Sequence, residues 1–201
     1  MNEEEYIKKR VLEAEATISA LLKEGALKKL TEPESIQISK FYEDKSIRRL
    51  ETARLIFEAS KKDQHYDDFS EAVSAAYYSM YYIIHAFLAL NYRTKLKEGT
   101  RGVHAITTNL ILYYLIKTGK LARHLFEEYC NALSTAVEIQ DLDWKDYQSD
   151  AYEYVKKYQA QRDNRELFTY FVSKNAEEHH AQKSIAVAEE FINTVRQLMH
   201  T

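Results

Sequence analysis

The sequence predicts an all-α protein built as an up-and-down helical bundle. Only four glycines and one proline occur among its 201 residues, so the chain lacks the residues that hairpins and many short strands need. Apolar residues recur at helical spacing along most of the chain, whereas no stretch alternates strongly between apolar and polar residues. We therefore predict long helices and no sheet.

Two amphipathic helices are predicted near the N-terminus. Residues 3–30 carry an apolar stripe with helical spacing, which predicts the first helix. Thr31 and Glu34 have the spacing of a capping box, and Pro33 lies in the first turn, where its missing N–H costs nothing. This start signal predicts a second helix that runs to about Lys62, where the polar stretch KKDQHYDD breaks the pattern.

The central segment, residues 68–92, is apolar or aromatic on nearly every side. A helix that is apolar all round must be covered all round. We therefore predict that this helix lies at the centre of a helical domain or in a subunit interface, with Asp68 at its start. It carries His85 and four tyrosines: Tyr77, Tyr78, Tyr81 and Tyr82.

Further helical patterns occur in the rest of the chain. Residues 103–117 are apolar and are followed by Gly119, in the position that often ends a helix. Residues 121–138 and 176–200 have apolar positions at helical spacing. The segment IQDLDWKDY interrupts the first of these patterns, helical spacing returns from Trp144 to Tyr158, and residues 161–174 are harder to assign.

Composition limits the classes of function. The net charge of −3 gives no general attraction to nucleic acid or to an anionic membrane, so any such binding needs a local patch. The single Cys130 excludes a disulfide framework. The N-terminus does not resemble a signal peptide, and no run of about 18 apolar residues occurs. We expect a cytoplasmic protein without a membrane span and without a cofactor.

Histidines and carboxylates raise the possibility of a metal site, which the spacing does not support. A di-iron bundle needs two Glu-x-x-His motifs on different helices, and this chain has one, Glu177 with His180. We therefore expect no metal. His85 on the central helix has two interpretations. It is a satisfied core or interface residue, or, where accessible, an acid or base.

One charged segment is a candidate ligand site. Arg162 and Arg165 lie within one helical turn, and two guanidinium groups at this spacing can cradle a phosphate. Asp163 and Glu166 can instead neutralise them. A second basic cluster lies in the loop after the central helix: Arg93, Lys95, Lys97 and Arg101.

Three segments, in order, resemble the HEPN superfamily (higher eukaryotes and prokaryotes nucleotide-binding). AVSAAYYSMYYIIHAFLAL is similar to a Tyr-Tyr-Ala-Met-Phe-His-Ala-type helix, and GTRGVHAITTNLILYYLIKTGKL is similar to the segment that follows it. The run from Arg165 to Tyr170 resembles the Arg-x-x-x-Asp-Tyr ending of a small prokaryotic subfamily, although Thr169 replaces its Asp. The resemblance identifies residues 41–201 as a HEPN-like bundle with an insertion at about 139–160, and residues 1–40 as an added helical extension.

The resemblance implies a homodimer and, for many members, a metal-independent ribonuclease paired with a nucleotidyltransferase antitoxin. That activity uses Arg-x4-6-His, but Arg165-x4 leads here to Tyr170, and a neutral tyrosine is a poor base at pH 7. We expect a binding protein for nucleotide or RNA phosphate at Arg162, Arg165 and Tyr170, or for a nucleotidyltransferase partner. The alternatives are an endoribonuclease that uses Arg165 with Tyr170 or His85, and a purely structural dimer.

Overall fold

The computed structural model describes residues 3–63, 66, 68–139 and 174–200. Within these residues the protein is all-α, as predicted, with one small sheet. The helices are α1 (Glu3–Lys23), α2 (Glu32–Lys62), α3 (Phe69–Tyr92), α4 (Val103–Ile111), α5 (Arg123–Ile139) and α6 (Lys174–Met199), and the strands are β1 (Leu27–Lys29) and β2 (Thr94–Leu96).

Helix α2 begins and ends where the sequence predicts. The backbone N–H of Thr31 donates to the carboxylate of Glu34 at 2.8 Å, which completes the capping box. The last helical residue is Lys62, and the backbone N–H of Asp63 donates to the carbonyl of Ala59. The local start and stop signals are therefore sufficient to place this long helix.

Helices α2 and α3 form an antiparallel pair. Phe57 near the end of α2 contacts Phe69 at the start of α3, with ring centroids 5.8 Å apart. Farther from the connection, the Ser46 hydroxyl of α2 donates to the Ser79 carbonyl of α3 at 2.7 Å. Because a serine side chain is short, the two helix backbones must approach closely at this point.

Small buried residues every seven positions make this approach possible. On α2 they are Ser39, Ser46, Ala53 and Ser60, and on α3 they are Ala72, Ser79 and Ala86. A seven-residue repeat keeps one stripe of a helix against its partner over many turns. Long side chains at these positions would hold the two helices apart.

Helix α3 is the centre of the bundle, which is the first of the two positions that the sequence predicts for it. It packs against α2, α4, α5 and α6, and most of its side chains are buried. Two ion pairs join α2 and α6, Lys61 with Glu178 near the start of α6 and Glu43 with Arg196 near its end, so α6 runs antiparallel to α2. The buried face of α6 contains Ile185, Ala188, Phe191, Ile192 and Val195.

The prediction of no sheet is wrong for one short element. Strands β1 and β2 pair antiparallel, with Leu27 opposite Leu96. As a result α1 ends at Lys23 instead of continuing to residue 30, with Gly25 at φ +70° in the turn. Each strand has only three residues, which is too short for an alternating pattern to be visible in the sequence.

The predicted helix at 103–117 has two parts. Helix α4 is followed directly by a π-helical segment, Leu112–Ile116, in which the N–H of Lys117 donates to the carbonyl of Leu112 at 2.9 Å. Gly119 has φ +67° and ends the element, as predicted. Helix α1 packs against both parts.

The domain division stays a prediction. Helix α2 runs without a break through residue 40, the predicted end of the N-terminal extension. Ala14 and Ile18 of α1 belong to the same buried core as α3. The predicted insertion at 139–160 lies almost entirely outside the described residues.

Among the described helices, α3 is the one whose length and composition would allow it to cross a membrane. Most of its apolar window is buried by the other helices, which is typical of the central helix of a soluble protein. The chain is therefore compatible with a soluble protein, and a cytoplasmic location stays a prediction.

Candidate functional site

Tyrosines and histidines meet where α3, α4 and α5 pack together. The hydroxyl of Tyr77 on α3 shares a 2.6 Å hydrogen bond with Nδ1 of His104 on α4, and it lies 3.5 Å from the hydroxyl of Tyr129 on α5. All three side chains are buried. This polar group is therefore an internal connection among three helices.

His85 lies beside this group and is also satisfied. Its Nε2 is 3.1 Å from Oγ1 of Thr107, which donates its only hydroxyl hydrogen to the Val103 carbonyl at 2.7 Å. We therefore assign the hydrogen to Nε2 of a neutral His85, which donates to Thr107. The side chain is 5% exposed, as its interpretation as a satisfied core residue predicts.

Burial fixes the protonation states of these groups at neutral pH. It lowers the pKa of His85 to about 3, with the nearby His104 adding to the effect, and it lowers the pKa of His104 to about 4. Burial also raises the pKa values of Tyr77, Tyr81 and Tyr129 above their ordinary value. All five side chains are thus neutral at pH 7.

A second feature lies on the surface between α2 and α3. We call it the aromatic–cation face and define it by Phe41, Lys45 and Arg49 of α2 and Tyr78 and Tyr82 of α3. Nζ of Lys45 is 4.3 Å from the Tyr82 ring centroid, and Cζ of Arg49 is 5.9 Å from that of Tyr78. These are cation–π distances.

Helical spacing creates this face. Phe41, Lys45 and Arg49 follow one another at intervals of four on α2, so they lie in one row along that helix. Tyr78 and Tyr82 have the same spacing on α3, and their rings stack with centroids 6.3 Å apart. Phe41 is 59% exposed, so the row reaches open solvent.

Two other cations of α2, Arg54 and Lys61, are paired with carboxylates of α6. Arg54 lies 2.8 Å from a carboxylate oxygen of Glu189, and Lys61 lies 3.5 Å from one of Glu178. In the part of the chain that the structure describes, no carboxylate lies within ion-pair distance of Lys45 or Arg49. Positive charge therefore remains on the α3 tyrosine side of α2.

The predicted basic loop is partly neutralised. Arg93, which ends α3 in the left-handed conformation at φ 50°, pairs with Glu32 at 3.0 Å. Lys95 of β2 pairs with Glu98 at 3.2 Å. Cys130 is buried in α5, and burial raises the pKa of its thiol, which argues against a reactive cysteine.

The structure places one of the four predicted site residues. His85 lies in the core, whereas Arg162, Arg165 and Tyr170 lie outside the described residues. Within the described ranges no group of three or more His, Cys, Asp or Glu side chains is arranged to hold a metal ion.

Sequence reasoning missed Lys45 and Arg49 as candidate binding residues. The available signal was their four-residue spacing with Phe41, which predicts one face of α2. The sequence alone does not show that this face lies against Tyr78 and Tyr82, because that depends on how α2 and α3 pack.

Comparisons with protein-family models, with curated proteins and with solved structures find no match for this chain. The resemblance to HEPN proteins therefore stays a prediction that rests on the motifs described above.

Proposed function

We propose that this chain is a HEPN-like homodimer that binds nucleotide or RNA phosphate and does not cleave RNA efficiently. The observation that carries the proposal is the state of His85. If His85 cannot act as a base, the ribonuclease alternative retains only Tyr170 as the titratable side chain that would act with Arg165.

A general base must reach the proton that it removes, and its pKa works best near the operating pH. His85 meets neither requirement, because it is buried, it already donates to Thr107, and its pKa is about 3. His104 has a pKa of about 4 and is bonded to Tyr77. Both side chains act as packing and hydrogen-bonding groups.

The proposed phosphate ligands are Arg162 and Arg165, with Tyr170 as a hydroxyl donor. Guanidinium groups bind phosphate bidentately, and they need no change of protonation state to do so. A nucleotidyltransferase is the protein partner that the HEPN resemblance implies, and a cytoplasmic location is part of the same proposal.

The test combines binding and cleavage in one sample. Purified protein is titrated into labelled mixed-sequence RNA without metal, and the RNA is then examined for 2′,3′-cyclic phosphate ends. We expect intact RNA and saturable binding. We also expect Arg165→Ala to weaken binding about tenfold or more, because a charge-assisted hydrogen bond contributes about 1.5–3 kcal/mol.

Arg196→Ala is the matched control, since it removes a surface arginine that pairs with Glu43. It should leave affinity unchanged. Cleavage that disappears in Arg165→Ala would establish the ribonuclease instead. Equal binding by wild type and Arg165→Ala would contradict the proposed site, and sedimentation of the wild type as a monomer would contradict the dimer.

A further inference from the structure

We propose that the aromatic–cation face on α2 and α3 is a stacking platform for the bases of single-stranded nucleic acid. It is a second contact surface, separate in sequence from Arg162, Arg165 and Tyr170. The inference rests on the proposed function only in taking nucleic acid as the ligand.

The first argument is the combination of groups. Proteins that bind single strands without sequence preference use aromatic rings for the bases and nearby cations for the backbone. Here Lys45 lies 4.3 Å from the Tyr82 ring centroid and 5.8 Å from that of Phe41. Arg49 continues the row over Tyr78. Rings and charges therefore alternate along one surface.

The second argument is charge complementarity. On the α6 side of α2 the cations Arg54 and Lys61 are matched by carboxylates of α6. On the tyrosine side, the described residues place no such partner beside Lys45 or Arg49. An anionic ligand would thus be attracted to the tyrosine side, and its binding would not require breaking an ion pair between described residues.

The third argument is that the Tyr82 ring can be uncovered without unfolding. Lysine has a flexible four-carbon stem, so the Lys45 ammonium can leave the Tyr82 ring and contact a phosphate. A base can then take its place on the ring. Phe41 is already open to solvent at 59% exposure. A duplex hides its base faces in the stack, so this surface should prefer single strands.

The experiment compares two charge-removing double variants on the same helix. Fluorescence anisotropy measures binding of labelled oligouridine of about ten nucleotides, and a blunt duplex of equal length serves as the competing ligand. The test variant is Lys45→Ala/Arg49→Ala, and the matched control is Arg54→Ala/Lys61→Ala. Circular dichroism verifies that each variant remains helical.

We expect the test variant to bind at least about tenfold more weakly, with the salt slope reduced by about 1.4, since each phosphate contact to a single strand contributes about 0.7. The control should stay within about twofold of wild type. Phe41→Ala should lose about fivefold or more, because one base–aromatic stack contributes about 1–3 kcal/mol, whereas Tyr82→Phe should retain binding.

Three results would overturn the platform. They are wild-type affinity in Lys45→Ala/Arg49→Ala, equal affinity for duplex and single strand, and equal competition by inorganic polyphosphate, which has no bases to stack. Arg165→Ala separates this proposal from the preceding one. If Arg165→Ala binds weakly and Lys45→Ala/Arg49→Ala binds normally, the phosphate site is supported and the platform is rejected. If Arg165→Ala binds normally and Lys45→Ala/Arg49→Ala binds weakly, only the platform is supported.

Discussion

His85 and His104 lie among aromatic and apolar side chains in the centre of the bundle, where a positive charge is poorly solvated. Each is neutral at pH 7 and has a hydroxyl partner, Thr107 for His85 and Tyr77 for His104. A neutral imidazole with a hydroxyl partner is a stable core group, whereas neither of these hydroxyl groups supplies a counter-charge to an imidazolium. The same burial that argues against catalysis makes stability depend on pH.

We expect the free energy of unfolding to fall as the pH drops below about 6.5. The folded pKa values, about 3 for His85 and about 4 for His104, lie below the ordinary histidine pKa of about 6.5. The unfolded chain therefore binds more protons in this window, and the loss reaches at most about 2 kcal/mol per histidine at pH 5. Above about pH 6.5 these residues contribute no pH dependence.

Urea unfolding at pH 7 and pH 5 measures this difference. His104→Gln removes one titrating group while keeping a side chain that can hydrogen-bond to Tyr77. The difference between the two pH values should therefore shrink in the variant. An equal difference in wild type and variant would show that His104 is not responsible, since carboxylates are common to both proteins.

For single residues, the sequence predicts burial better than it predicts hydrogen-bond partners. The unusual position of His85 in an apolar helix is visible in the sequence, and so is its interpretation as a core residue. Its bond to Thr107 and the bond between Tyr77 and His104 are not visible, because they depend on how α3 and α4 pack. Residues more than 20 positions apart in these pairs carry no local signal of the contact.

Among the elements, α2 was the most predictable and the sheet the least. The capping box at Thr31 and the polar stretch after Lys62 are local signals, and both act where they occur. Strands β1 and β2 pair across a long sequence separation and have three residues each, so their pairing is a tertiary effect. The π-helical segment after α4 likewise has no start or stop residue of its own in the sequence.

The close contact of α2 and α3 gives a prediction about Ser46. The residue is fully buried and its hydroxyl donates to the Ser79 carbonyl at 2.7 Å. Ser46→Ala should lower the free energy of unfolding by about 1 kcal/mol, the usual net value of one hydrogen bond. Ser46→Leu should cost about 3 kcal/mol or more, because the added side chain overpacks the contact.

Lys40→Leu is the control, since it introduces the same side chain at an exposed position of α2. It should change stability by less than about 0.5 kcal/mol. Chemical unfolding of the three variants gives the comparison. If Ser46→Leu were as stable as Ser46→Ala, the two helices would not be held together by the small residues at this position.

In the whole molecule, positive charge is distributed unevenly around a chain whose net charge is −3. Carboxylates of α6 neutralise one side of α2, whereas Lys45 and Arg49 remain over tyrosine rings on another. A total charge computed from the sequence cannot reveal this asymmetry, because it arises only after the helices pack. A slightly acidic protein can therefore still present a cationic surface to a polyanion.

The place of α1 in the molecule leads to the last prediction. The HEPN resemblance treats residues 1–40 as an added extension, yet Ile18 of α1 is 2% exposed and belongs to the core. Lys117, directly after the π-helical segment, also pairs with Glu15 of α1 at 2.7 Å. If α1 is an integral part of the bundle, Ile18→Ala should cost about 2–5 kcal/mol, the usual range for truncating a buried isoleucine to alanine. Leu12→Ala on the same helix removes an exposed leucine and should cost less than about 0.5 kcal/mol.

A single cooperative unfolding transition that shifts only in Ile18→Ala would show that α1 folds with the bundle, whereas equal small shifts in both variants would support a separable extension.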